Sequence, residues 1–207
     1  MTLSRQEVSE NSEAEWIKLW DPLVRGFHWS LVLLMSSAWL LGHFGPAVMG
    51  LHFQCGYAIA GLVLLRLLWG IIGPPSARFS HFIRGPGAIW RYAREFPLRQ
   101  PSYWPGHSPL GALSVVMMLV LIALQVTTGL ISDPDDFINV GPLASWVPPS
   151  IRAGAVGWHH LGSWALLALV SLHVGVILFY RLWKGEDLVR PMVTGWKFVK
   201  PDKSASQ

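Results

Sequence analysis

Four stretches of this chain, residues 27–44, 51–72, 109–131 and 158–183, stay apolar over a length that crosses a bilayer, and they leave few folds open. About 30 Å of hydrocarbon takes roughly 20 helical residues. Lipid offers the backbone no water, so a segment of this length satisfies its N–H and C=O groups only as a helix. The expected fold is an all-α integral membrane protein, a four-helix transmembrane bundle. Composition agrees, because 14% of the 207 residues are charged, against roughly 25% in an average soluble domain. The single Cys excludes a disulfide framework, a four-thiolate metal centre and a Cys-x-x-Cys-His attachment. The first stretch reads as a span and not as a cleaved leader, since a polar, Glu-bearing tail precedes it.

Basic residues orient the bundle. Of the 16 Lys and Arg, all but Arg66 and Arg152 fall in the N-terminal segment, the connection 73–108 or the C-terminal tail. Arg152 lies on the opposite side with Asp133, Asp135 and Asp136, and Arg66 lies inside the second span. Positive connections stay inside, so both termini are expected on the cytoplasmic side. Within 73–108, residues 86–96 interleave Trp90, Tyr92 and Phe96 with Arg91 and Arg94, the pattern of a helix lying at headgroup level. Topology thus accounts for the basic surplus, and no nucleic-acid partner is expected. Residues 1–15 and 201–207 are expected to be disordered tails around a membrane domain, 16–200.

With the direction fixed, the histidines sort by depth. His28 opens the first span and His173 lies toward the cytoplasmic end of the fourth. His52 opens the second span at the other face, level with His159 and His160. Fourteen residues separate His159 from His173, about 21 Å along a helix, and at that spacing both point to nearly the same face. His160 is turned well away from that face. Two pairs of imidazoles at two depths suit a flat apolar cofactor bound between helices, and haem iron takes two axial imidazoles. Gly56, one turn after His52, and Gly42, 14 residues after His28, would leave room for the ring. His43, His81 and His107, near the membrane edges, read as packing or interfacial residues.

Arg66 is the other intramembrane polar residue. Burying an unpaired Arg costs at least about 2.5–3.5 kcal/mol on insertion scales, so it needs a partner. A haem propionate would supply a bidentate one. Arg25 is a second candidate and Arg84 a third. Snorkelling to the headgroups is the alternative for Arg66.

These residues resemble a known family. Trp20-Asp21-Pro22 through Arg25-Gly26-Phe27-His28-Trp29, Leu51-His52 with Gly56-Tyr57, and Leu65-Arg66-Leu67-Leu68-Trp69-Gly70 are similar to the bacterial cytochrome b561 family. That family includes the b-type cytochrome subunit of nickel–iron hydrogenases. Arg84-Gly85-Pro86, Gly106-His107-Ser108-Pro109-Leu110-Gly111, Thr128-Gly129-Leu130 and Leu188-Val189-Arg190-Pro191-Met192 with Thr194-Gly195 follow the same pattern, over about residues 17–198. The resemblance implies two non-covalent b haems, held by His28 and His173 on the cytoplasmic side and by His52 and His159 on the periplasmic side. The position after the last of these, often acidic in the family, is here His160, which leaves either neighbour open as the ligand.

The resemblance further implies a multi-pass protein of the bacterial inner membrane that carries electrons between the quinone pool and a redox partner. That partner is a c-type cytochrome or another oxidoreductase subunit. Two imidazoles per iron leave no coordination position for oxygen chemistry. Asp133, Asp135 and Asp136 would dock a basic cytochrome c, or else are simply a solvated loop. A haem-containing membrane anchor of a larger oxidoreductase is an alternative, and a homodimer is compatible with either. A His-lined metal or proton transporter is the alternative of another class, disfavoured because no span carries a carboxylate.

Overall fold

The computed structural model describes residues 15–44, 48–98, 104, 106–136 and 138–199. The expected tail 201–207 and all of 1–15 except Glu15 lie outside the described residues.

Helix α1, Pro22–His43, starts where the Asp21 carboxylate accepts the Leu23 and Val24 amides at 2.9 and 3.1 Å. Pro22 takes the first position, where a missing N–H costs nothing. The helix therefore begins ahead of residue 27, because capping and not hydropathy decides where it starts. Helix α2 is Met49–Ile72. Two short helices follow it, α3 (Phe79–Phe82) and α4 (Pro86–Glu95). Helix α5, Pro109–Ile131, keeps its expected bounds, with Ser108 accepting the Gly111 amide at 3.2 Å. Helix α6, Pro149–Phe179, runs on through a π-turned stretch, Tyr180–Lys184. It starts well before residue 158, since Pro149 opens a turn that Ala153 and Ala155 extend beyond the most apolar part. Helices α1, α2, α5 and α6 are each long and apolar enough to cross a membrane.

In the bundle α1 packs on α2, α2 on α5 and α5 on α6. Ile59, Val63, Ile122 and Leu166 form its buried centre, with Leu34, Met35 and Ala38 of α1 against them. Leu64, Leu68, Leu124 and Leu172 point outward and stay exposed, as the lipid-facing side of a membrane bundle does.

The fold is not purely helical. Strand β1, Glu15–Lys18, pairs antiparallel with β2, Trp196–Val199, placing Trp16 opposite Phe198 and Lys18 opposite Trp196. Neither segment has a partner nearby in sequence, so the ribbon exists only because the bundle brings the two chain ends together. Helix α7, Val189–Thr194, leads into β2 through Gly195, whose φ is 86°. A side chain there would be strained, and its Cβ would stand 2.9 Å from the Trp20 carbonyl. The Gly195 carbonyl accepts the Leu19 and Trp20 amides at 2.8 and 3.2 Å. Trp29 donates its indole N–H to the Met192 carbonyl at 3.1 Å. These bonds define a ribbon end of the bundle; Asp133, Asp136 and Asn139, past the end of α5, lie at the opposite, loop end.

Helix α4 folds back on the extension of α6. Phe96 stacks on Phe179 with ring centres 5.0 Å apart, and the Tyr92 and Tyr180 hydroxyls bond each other. Trp90 stays exposed with the Arg94 guanidinium over its ring. A helix thus forms where the sequence pattern over 86–96 places one. Next to it, the Lys197 ammonium meets the Glu186 carboxylate at 2.6 Å, both buried, and donates to the Trp104 carbonyl at 2.9 Å.

Candidate functional site

Toward the loop end the helices part around a cavity of about 550 Å³, within the usual size range of cofactor sites. Its walls include His52 and Gly56 of α2, Gln125 and Gly129 of α5, and His159 of α6. The His52 and His159 rings face each other with centres 6.0 Å apart and planes at 82°. Two imidazoles that ligate one metal ion from opposite sides, each through a bond of about 2.0 Å, have ring centres roughly 6 Å apart. The spacing therefore fits a shared iron.

The hydrogen bonds fix which nitrogen is free. His52 Nδ1 lies 2.8 Å from the Ala38 carbonyl, and His159 Nδ1 lies 3.0 Å from the Gln125 carbonyl. A carbonyl oxygen only accepts, so each Nδ1 carries the proton and each Nε2 keeps its lone pair. This is the arrangement of a metal-ligating histidine held by an outer partner. Among the described residues no group of three or more His, Cys, Asp or Glu side chains is arranged to hold a metal ion by itself. His160, one residue on, is exposed at the cavity edge, and it is the His159 ring that faces His52.

Gly129 gives the ring its room, because a Cβ there would stand 2.9 Å from His159 Cε1 and the ring would have to shift. Gly42 lies beside His52, its Cβ position 3.4 Å from Nδ1. Sequence reasoning gives no role to Gln125, Thr128 or Gly129. A signal is present, since Gln125, Thr127 and Thr128 cluster within four residues of a span whose other polar side chain is Ser114.

The second imidazole pair lies toward the ribbon end. His28 lies in the first turns of α1 and His173 in the last turns of α6. His28 Nδ1 is buried with no hydrogen-bond partner, and Trp29 meets the His28 ring edge-on at 5.2 Å. Arg25, one turn before His28, donates from Nη1 to the Val193 carbonyl at 2.6 Å and keeps its buried Nε unpartnered.

Arg66 is 3% exposed, its guanidinium enclosed by protein. Its guanidinium lies over the Phe79 ring, 4.7 Å from the centre, within electrostatic reach of Asp21 and His107. Arg66 Nη1 and Asp21 Oδ2 are both buried without a hydrogen-bond partner. His107 packs against Trp20 and Phe82 at 4.6 and 4.5 Å, as a packing residue. His43 likewise stacks on Trp39 and bonds its carbonyl at 2.8 Å. His81 touches Ser80 near the surface, and Arg84 borders a smaller cavity beside His107.

Burial, and secondarily the Arg66 charge, push the His107 imidazole down to about 4 from an ordinary 6.5. The folded chain therefore stays neutral at His107 where the unfolded chain is already protonated. Stability is complete above pH 6.5 and falls as the pH drops from 6.5 toward 4, by roughly 3 kcal/mol in full. Thermal unfolding of the purified chain between pH 7 and 4.5 should show this acid loss, and His107→Gln should flatten it. An acid limb of equal depth in both proteins would assign the loss to other groups.

At the loop end, Asp133 pairs with Arg152 at 3.5 Å. Asp136 accepts the Asn139 amide at 2.7 Å, and the backbone and side-chain bonds from Asn139 hold its carboxyl below the usual range.

The model of the prokaryotic cytochrome b561 family matches residues 19–195. A probable Ni/Fe-hydrogenase B-type cytochrome subunit of Rhizobium leguminosarum bv. viciae is 24% identical, over 91% of this chain and 91% of that protein. A probable Ni/Fe-hydrogenase 1 B-type cytochrome subunit of Escherichia coli K12 is 22% identical, over 98% of each. The similarly named protein of Cupriavidus necator is 27% identical, over 80% of this chain and 71% of its own length. No solved structure matches the chain. The family match begins just past β1 and stops just before β2, so it takes in every helix from α1 to α7. The chain belongs to the prokaryotic cytochrome b561 family, and so to the multi-pass, haem-carrying b-type cytochromes of bacterial membranes.

Proposed function

We propose that the chain is a di-haem cytochrome that passes electrons between membrane quinone and a redox partner, with both termini cytoplasmic. His52 and His159 hold the periplasmic-side iron, and His28 and His173 the cytoplasmic-side iron. The observation that carries this reading is the His52–His159 pair, whose 6.0 Å spacing and carbonyl-bonded Nδ1 atoms leave two Nε2 lone pairs for one ion.

Haem b between two imidazoles supplies one-electron chemistry with no open position for oxygen. The Ala38 and Gln125 carbonyls orient the periplasmic-side imidazoles. Gly42 and Gly129 leave the space those rings occupy. Met35, Ile59, Ile122 and Leu166 along the cavity exclude water, which keeps the site apolar. Arg66 and Arg25 each keep a buried guanidinium nitrogen without a protein partner, and these donors fit the propionates of the cytoplasmic-side haem.

An oxidoreductase subunit of the hydrogenase kind is the favoured partner, because the relatives above share that printed name. Docking of a basic cytochrome c has less support, since Asp133 and Asp136 are engaged by Arg152 and Asn139 of their own loop end.

Haem quantitation with a reduced-minus-oxidised spectrum tests the reading. Two b haems per chain with low-spin bands are expected. If the near-perpendicular His52 and His159 rings hold the iron, one highly anisotropic ferric EPR signal is also expected. A chain purified without haem sinks the proposal.

A further inference from the structure

His28 differs from both loop-end imidazoles in the bonding of its Nδ1, and α5 supplies one of the two loop-end acceptors. At the loop end both ligating rings donate Nδ1–H to backbone carbonyls, His52 to Ala38 and His159 to Gln125. At the ribbon end His28 Nδ1 is buried without a hydrogen-bond partner. An imidazole whose N–H is bonded to a carbonyl is a more basic, more electron-donating ligand. Such a ligand favours the ferric state and lowers the potential of its iron. Charge acts in the same direction. Arg25 stands one turn from His28 on α1, and a nearby cation favours the reduced form.

The His159 bond depends on a small assembly. Gln125 binds residue 159 twice, its carbonyl accepting from the ring and its side-chain amide donating to the His159 carbonyl at 3.0 Å. The amide fits only because position 162 is glycine, where a Cβ would stand 2.3 Å from Gln125 Oε1. Thr128 Oγ1 lies 3.3 Å from the same Nδ1 and bonds the Gln125 carbonyl at 3.0 Å. Gly129 lets the ring come in over α5.

We infer that the α5 segment Gln125–Gly129 is a tuning device, which holds the potential of the His52/His159 haem below that of the His28/His173 haem. Gln125, Thr128 and Gly129 are positioning residues that act through His159. The inference rests on the di-haem reading and adds to it an order of potentials.

Potentiometric titration of the purified full chain tests it. Two resolved one-electron components are expected, and His173→Leu should leave a single component at the lower of the two potentials. Gly129→Ala drives the His159 ring off the Gln125 carbonyl, so the lower component should rise while the upper one stays. Gln125→Leu, which keeps the backbone acceptor and loses the amide clamp, should give a smaller rise of the same sign. If Gly129→Ala loses that haem, the Gln125→Leu and His173→Leu titrations decide. Equal potentials, a survivor in His173→Leu at the higher potential, or a lower component that neither α5 variant moves would each overturn the inference. A chain that binds one haem or none fails the di-haem reading instead.

Discussion

Replacing His28 and His173 together with leucine should leave one b haem per chain instead of two. The haemochrome absorbance should fall by half, and the anisotropic EPR signal of the perpendicular pair should persist. The reason is that the other pair is anchored locally. His52 is oriented by Ala38 of α1, and His159 by Gln125 of α5, and neither bond involves residues near His28 or His173. The two levels lie about 21 Å apart along α6, a separation at which substitutions usually act independently. Leucine fills the lost imidazole volume with an apolar side chain, so the bundle keeps its packing. Retention of both haems would refute the pairing. Loss of both would show that the levels are coupled through more than the shared helix.

The second large effect is expected outside the membrane helices. The Glu186 carboxylate and the Lys197 ammonium are 2.6 Å apart and only 8% and 7% exposed. Glu186→Ala would strand a buried ammonium with one carbonyl acceptor, Trp104. Removing one partner of a buried pair typically costs about 3–5 kcal/mol, because the remaining charge is uncompensated. Replacing both partners with apolar residues of similar size, Glu186→Leu with Lys197→Met, should recover most of that loss. The ribbon is where this matters, since Lys197 lies within β2. Thermal unfolding followed by tryptophan fluorescence would report it, through Trp16 and Trp196 on the strands. Equal destabilisation of the single and double variants would mean that packing, not charge, holds the ribbon.

Much of the architecture is legible in the amino-acid sequence. Span lengths follow from hydropathy because the bilayer imposes a fixed thickness, and α5 lies where the apolar stretch lies. Helix starts are less legible. Asp21 and Pro22 begin α1, and Pro149 begins α6, through capping and backbone geometry that a hydropathy window does not weigh. The β1–β2 ribbon has no local signature at all. It joins residues some 180 positions apart, roughly the span from Lys18 to Trp196, and strand pairing at that range depends on tertiary closure.

The site divides along the same line. Helical periodicity alone sets His159 and His173 on one face of one helix, and depth alone sets His52 and His28 level with them. Arg66 is equally visible, as an unpaired cation in an apolar span. Its surroundings are not, because Phe79, Asp21 and His107 come from three separate segments. The choice between His159 and His160 is legible in part. The 14-residue spacing to His173 favours His159 by face, and the fold supplies what spacing cannot, a ring set against that of His52.

The sequence by itself determined the class of protein, the number of spans and the four candidate ligands, because these depend on local composition, on a 3.6-residue period and on a bilayer of fixed thickness. Only the tertiary structure decided which nitrogen of each loop-end imidazole is free, which ring Gly129 makes room for, and how the chain ends close into a ribbon. Hydrogen bonds and close approaches form between helices, and no local pattern specifies the carbonyl a ring will meet across that gap.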